Sequence, residues 1–93
     1  TGSARYAAVW TGDNISSFRH LTRSLPVSLN LALSGIPWNG PDVPGFGGNA
    51  SPRLAERWYQ AAALFPFFRN HAVKGSTPQE PWNFPAKTRA LLR

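Results

Sequence analysis

The 93-residue sequence contains no cysteine, which excludes a disulfide framework, a thiolate metal site and a cysteine nucleophile. It therefore says nothing about redox compartment, and location stays unknown. No apolar stretch approaches the roughly 20 residues that a bilayer span needs, and no charged-then-apolar segment opens the chain, so no membrane is expected. Negative charge is scarce: four Asp and Glu stand against ten Lys and Arg, for a net charge of +6. Such an excess by itself points to an acidic partner such as nucleic acid. The basic residues are scattered, however, with no run and no aromatic interleaving to form a stacking platform. No nucleic acid is expected either.

Apolar residues make up 42% of the sequence, enough for a packed core in a domain with little stability to spare. The chain opens at Thr1 without Met and stops at Arg93 inside a segment that reads as helix. One domain, incomplete at both ends, is the expectation for residues 1–93.

Tyr6-Ala7-Ala8-Val9-Trp10 reads as a buried strand ending in the turn residues Thr11-Gly12-Asp13-Asn14. From Ser16 onward Phe18, Leu21, Leu25, Leu29 and Leu33 recur at helical spacing as one buried face. Ser16 or Ser17 is the expected cap, Pro26 a kink or restart, and Gly35 the stop. Ile36 to Asn39 is a second short strand, followed by an irregular Gly- and Pro-dense loop from Gly40 to Pro52. Ser51-Pro52 starts a helix with the stripe Leu54, Trp58, Ala61, Ala62 and Phe65, which Pro66 ends. Phe67-Phe68 is a third strand, closing at Arg69-Asn70-His71.

The order β-α-β-α-β implies parallel pairing through right-handed crossovers, and an α/β fold. Asp13, Asp42 and His71 each follow an apolar run directly, so all three are expected at the carboxyl edge of the strands, where loops converge on a rigid frame.

The stretch Arg5-Tyr6-Ala7-Ala8-Val9-Trp10-Thr11-Gly12-Asp13-Asn14 resembles the acid/base motif of glycoside hydrolase family 31. The resemblance continues in order through Gly35-Ile36-Pro37, Gly40-Pro41-Asp42-Val43-Pro44-Gly45-Phe46, Arg57-Trp58, Phe65-Pro66-Phe67-Phe68-Arg69-Asn70-His71 and Glu80-Pro81-Trp82. It implies the later part of a (β/α)8 TIM barrel. It also implies hydrolysis of terminal α-linked glucosyl residues with retention, by two carboxylates about 5 to 5.5 Å apart. Asp13 matches the acid/base, which must still hold its proton when substrate arrives; on spacing alone it reads first as a helix cap, and the motif reverses that order. The matching nucleophile of the family lies on an earlier strand, before Thr1, so the 93 residues alone are expected to be inactive.

By the same resemblance Asp42 holds hydroxyls of the bound sugar, His71 is a further hydrogen-bonding partner, and Trp10 and Phe46 are apolar walls of the pocket. Sugars present C–H faces beside hydroxyls, which suits that mixture. The sequence departs from the family pattern at Pro41 and Pro44, where small residues are common, and this bears on the aim of Asp42. Arg5 is expected to brace the loop around Asp13, Glu80 and Trp82 to be structural, and His20 to be surface. Asn14-Ile15-Ser16 and Asn49-Ala50-Ser51 fit the glycosylation acceptor rule, yet one lies in the motif and Pro52 follows the other, so neither is expected to be modified. Gly45 to Gly48 lacks the Lys of a phosphate loop.

The expected partners are thus an oligosaccharide or α-glucoside substrate and the remainder of the catalytic domain, with no cofactor and no metal. Three alternatives stay open: α-xylosidase or α-glucan lyase activity, which the same family holds, or a non-catalytic carbohydrate-binding relative. An upstream aspartate in a Trp-x-Asp-Met-Asn type of motif separates enzyme from binder.

Overall fold

Capping side chains set where both long helices begin. In the computed structural model, which describes residues 2–92, α1 spans Phe18–Leu33, and the Ser17 hydroxyl accepts the backbone N–H of His20 at 3.1 Å. That satisfies one of the amides a helix start leaves without an internal partner. Asp13 is therefore not the cap. α1 runs unbroken through Pro26 instead of kinking or restarting there. Pro26 and Thr22 are both exposed, so the Thr22 carbonyl that loses its helical partner is open to water. Ser34 closes the helix and Gly35, at φ 88°, turns the chain out of it.

α2 spans Pro52–Ala62, with Pro52 in the first turn and the Ser51 hydroxyl accepting the N–H of Leu54 at 3.3 Å. It ends four residues before Pro66, in a turn where Leu64 and Phe65 donate back to Ala61 and Ala62. Leu54, Trp58 and Ala62 from its apolar stripe join Leu21 and Val43 in the core, with Ala50, Tyr59, Ala61 and Phe65 packed around them. A short third helix, α3 (Ala86–Leu91), lies against α2, where the Thr88 hydroxyl donates to Glu56 Oε1 at 2.7 Å. Arg93 lies outside the described residues.

The long leucine face of α1 behaves differently from the expectation. Only Leu21 of that row is buried; Phe18 and Leu25 are half exposed, and Leu29 and Leu33 are 65% and 87% exposed. The helix instead packs on the strands through Leu21, Ser24 and Ser28. Short side chains there let the backbones approach, and Asn39 Nδ2 donates to the Ser28 carbonyl at 3.2 Å.

The strands are β1 (Val9–Trp10), β2 (Asn39–Gly40), β3 (Asp42–Val43) and β4 (Arg69–Asn70). β1 pairs with β2 and β3 with β4, both in parallel, with Val9 opposite Asn39, Trp10 opposite Gly40, Asp42 opposite Arg69 and Val43 opposite Asn70. Only Pro41, which has no N–H to donate, separates β2 from β3. A single extended stretch is thus flanked by β1 on one side and β4 on the other, with Phe67 N–H bonded to the Asn39 carbonyl and His71 N–H to that of Val43. A Cβ on Gly40 would fall 1.8 Å from the Phe67 carbonyl oxygen, so the close approach of these strands requires glycine.

Parallel order is as the sequence implied, but the paired residues Asn39–Gly40 and Arg69–Asn70 sit later than the expected strands Ile36 to Asn39 and Phe67-Phe68. Hydrophobicity marked the approach to each strand, whereas register against the neighbour decided which residues pair.

Candidate active site

Three loops leave the carboxyl ends of β1, β3 and β4, and Asn14 ties the first two together. Its Nδ2 donates to the Asp42 carbonyl at 2.9 Å and its Oδ1 accepts the Phe46 N–H at 2.8 Å. Beside it, Ser16 N–H bonds Gly47 O at 2.8 Å and Gly47 N–H bonds Asn14 O at 2.9 Å. Gly45, at φ 124°, makes this approach possible: a Cβ there would stand 2.4 Å from Ser16 N. His20 fastens the same loop from α1, its Nδ1 accepting the Ile15 N–H at 3.1 Å. Both amide atoms of Asn14 are engaged, and the residue is buried.

Asp13 follows on this fixed loop, is exposed, and takes part in no side-chain hydrogen bond among the described residues. It lines a shallow concavity of about 210 Å³ with Thr11, Asn14, His20 and Arg23. Trp10 is 52% exposed. Phe46 stacks on the His71 ring with centroids 5.4 Å apart and planes inclined by 28°. His71 faces a second concavity, of about 370 Å³, walled by the 70–80 loop including Gln79 and Glu80. Asp42 lines neither: its residue is 0% exposed, and Arg69 donates to Oδ1 from Nε at 3.0 Å and from Nη2 at 2.7 Å.

The three strand ends therefore converge through their backbones, while the side chains of Asp13, Asp42 and His71 do not share one hollow among the described residues. Taken alone, that separation counts against a pocket built from these three groups. Three adjacent strands make only one arc of an eight-stranded wall, and an arc does not enclose the space it faces.

Arg5, expected to brace the Asp13 loop, lies exposed in a 3-10 turn at Ser3–Arg5, with its N–H bonded to Gly2 O at 3.2 Å. Asn14 and His20 hold that loop instead. These two and Arg69 were missed as organising residues, because their roles depend on which loops and strands become neighbours. The position of Asn14 next to Asp13, and of Arg69 two residues before His71, was the signal available for those two. Tyr59 also stands at the strand ends, its hydroxyl accepting from Asn70 Nδ2 at 2.7 Å. Burial pushes its phenol up from the ordinary value, against the Asn70 hydrogen bond and with the Glu80 carboxylate adding to the rise.

All 93 residues match the model of the glycosyl hydrolases family 31 TIM-barrel domain. The chain belongs to family 31. Its family 31 relatives include a probable glucan 1,3-alpha-glucosidase of Oryza sativa subsp. japonica, 48% identical over 92 residues, covering 99% of this chain and 10% of the relative. Alpha-glucosidase 2 of Bacillus thermoamyloliquefaciens is 50% identical over 93 residues, covering 100% of this chain and 12% of that protein. Among solved structures, a glucosidase II alpha subunit in its Glc1Man2-bound form superposes with a TM-score of 0.95 at 38% identity, over 98% of this chain and 10% of that one. The family 31 alpha-glucosidase from Bacteroides thetaiotaomicron gives 0.87 at 46% identity, over 95% and 15%. The chain thus spans about a tenth of the length of the curated relatives it matches.

The fold of this family 31 chain is part of a TIM barrel, and the carboxyl edge of its strands is the face on which such barrels carry their chemistry. Among the described residues, no group of three or more His, Cys, Asp or Glu is placed to hold a metal ion.

Proposed function

We propose that the protein containing this chain hydrolyses terminal α-linked glucosyl residues with retention, Asp13 serving as acid and then base. The observation that carries this reading is the match of the whole chain to the family 31 barrel, in which Asp13 is an exposed carboxyl on a braced loop at a strand's carboxyl end. The relatives named above are alpha-glucosidases, which favours a glucosyl over a xylosyl substrate.

Asp13 gives its proton to the glycosidic oxygen as the bond to the anomeric carbon breaks, while a nucleophilic carboxylate from elsewhere in the domain bonds to that carbon. Asp13, now ionised, takes a proton from water, and the hydroxide displaces the carboxylate to restore the original configuration. Asp13 has free oxygens for both steps because, among the described residues, neither is spent on a side-chain hydrogen bond. Trp10, Phe46 and His71 supply apolar faces and one polar edge for the sugar; stacking on Phe46 limits how far the His71 ring can turn.

Asp13→Ala in the full-length protein tests the reading. Hydrolysis of a natural glucoside is expected to fall roughly 100- to 10,000-fold, and that of an activated aryl α-glucoside by less, since its leaving group needs little protonation. Added azide should restore turnover and yield α-glucosyl azide. Unchanged activity on the natural glucoside would remove Asp13 from the mechanism.

A further inference from the structure

Asp42 is not placed for the sugar-holding part that the sequence suggested for it, and its partner Arg69 is. Asp42 is 0% exposed, and a carboxylate without exposed surface offers no lone pair to a ligand hydroxyl. Its Oδ1 is taken by two Arg69 N–H groups, at 3.0 and 2.7 Å, and its Oδ2 is buried without a partner. The Arg69 side chain, in contrast, is 36% exposed.

The guanidinium is held on several sides. Its central carbon lies 5.8 Å from the Trp10 ring centroid and 5.9 Å from that of Phe67, and Asp42 stands directly opposite it in the β3–β4 register. A guanidinium carries five N–H donors in a rigid fork; with Nε and one Nη2 hydrogen spent on Asp42, three remain. A planar cation with free donors, fixed by a buried carboxylate beside a half-exposed indole, presents an edge that accepts sugar hydroxyl oxygens next to a wall for C–H faces. Its position is set before any ligand arrives, so little ordering is lost on binding.

We propose that Arg69, rather than Asp42, meets the sugar at this strand pair, donating hydrogen bonds to a hydroxyl oxygen, and that Asp42 is its positioning residue. The inference rests on the α-glucosyl reading above.

The test uses full-length wild-type protein, Arg69→Gln, Arg69→Lys and Asp42→Asn. Inhibition constants are measured for phenyl α-thioglucoside and for its monodeoxy and monodeoxyfluoro analogues at each ring position, against hydrolysis of p-nitrophenyl α-glucoside. Fluorine accepts a hydrogen bond weakly and donates none, so it separates a hydroxyl that receives from Arg69 from one that gives to Asp42. At one ring position the wild type should lose about tenfold or more on deoxygenation, with fluorine recovering part of it. Arg69→Gln and Arg69→Lys should shrink that difference and leave the ratios at other positions unchanged; Asp42→Asn should weaken it at the same position. Arg69→Lys keeps the charge and serves should Arg69→Gln not fold.

A position that depends on these residues but binds fluorine as poorly as hydrogen would return the contact to Asp42 and overturn the proposal. So would Arg69 variants that lower affinity equally for every analogue, which is the mark of a structural role alone. A wild-type protein that neither binds the thioglucoside nor hydrolyses the aryl glucoside would instead refute the underlying functional reading, and this assignment with it.

Discussion

Asn14 shows how much one amide can organise. It joins the loop carrying Asp13 to the strand carrying Asp42 and to Phe46 beyond it. Asn14→Ala would leave the Phe46 N–H and the Asp42 carbonyl without their partner, a loss of about 1 to 3 kcal/mol. Urea denaturation should register it, together with a fall in kcat/KM as the Asp13 loop loosens. At Tyr59 the phenol is raised chiefly by burial, so the folded state prefers the protonated form. The associated stability is present below the unfolded value of about 10 and is lost as pH rises through the folded one. The difference in Tm between wild type and Tyr59→Phe should therefore shrink above about pH 10; a constant difference would mean that Tyr59 does not titrate as described. Neither role is legible in the sequence, where Asn14 reads as a turn residue closing the motif and nothing marks Tyr59.

Among the elements, helices were far more legible than strands. Ser51-Pro52 announces α2 because a hydroxyl and a missing N–H are local solutions to a local problem, the unpaired amides of a helix start. Ser51→Ala should cost about 1 kcal/mol in thermal or urea unfolding, and an unchanged midpoint would deny the cap its part. The ends were less legible: α2 stops before Pro66, and Pro26 fails to interrupt α1, since an exposed carbonyl can turn to water. Strand boundaries slipped for a different reason. Two-residue strands are defined by what lies opposite, so Arg69-Asn70 pairs where Phe67-Phe68 was expected.

In the whole molecule the exposed leucine row of α1 is the largest departure from expectation. Periodicity identified an apolar face but not what covers it. In a (β/α)8 barrel each helix also packs beside its neighbours, and the remainder of the catalytic domain is the proposed cover. Leu33→Asp in the full-length protein should then destabilise by about 2 kcal/mol or more, against at most about 0.5 for a truly solvent-facing site. Differential unfolding of the two proteins checks this. The 93-residue chain by itself should not turn over an aryl α-glucoside, because the proposed reaction needs a second carboxylate facing Asp13; measurable hydrolysis by the purified chain would show that both groups lie within it.

Sequence alone determined the alternation of strands and helices, the cap that starts α2, the pair of serines from which α1 takes its cap, and the motif order that marks family 31, because each is written in neighbouring residues or in fixed spacings. Tertiary structure decided the rest. It set which carboxylate is sealed and which stays open, paired Arg69 with Asp42 across 27 positions, and left Leu25, Leu29 and Leu33 of α1 uncovered. Burial and ion pairing depend on what a side chain meets after the chain has folded, and no local pattern carries that.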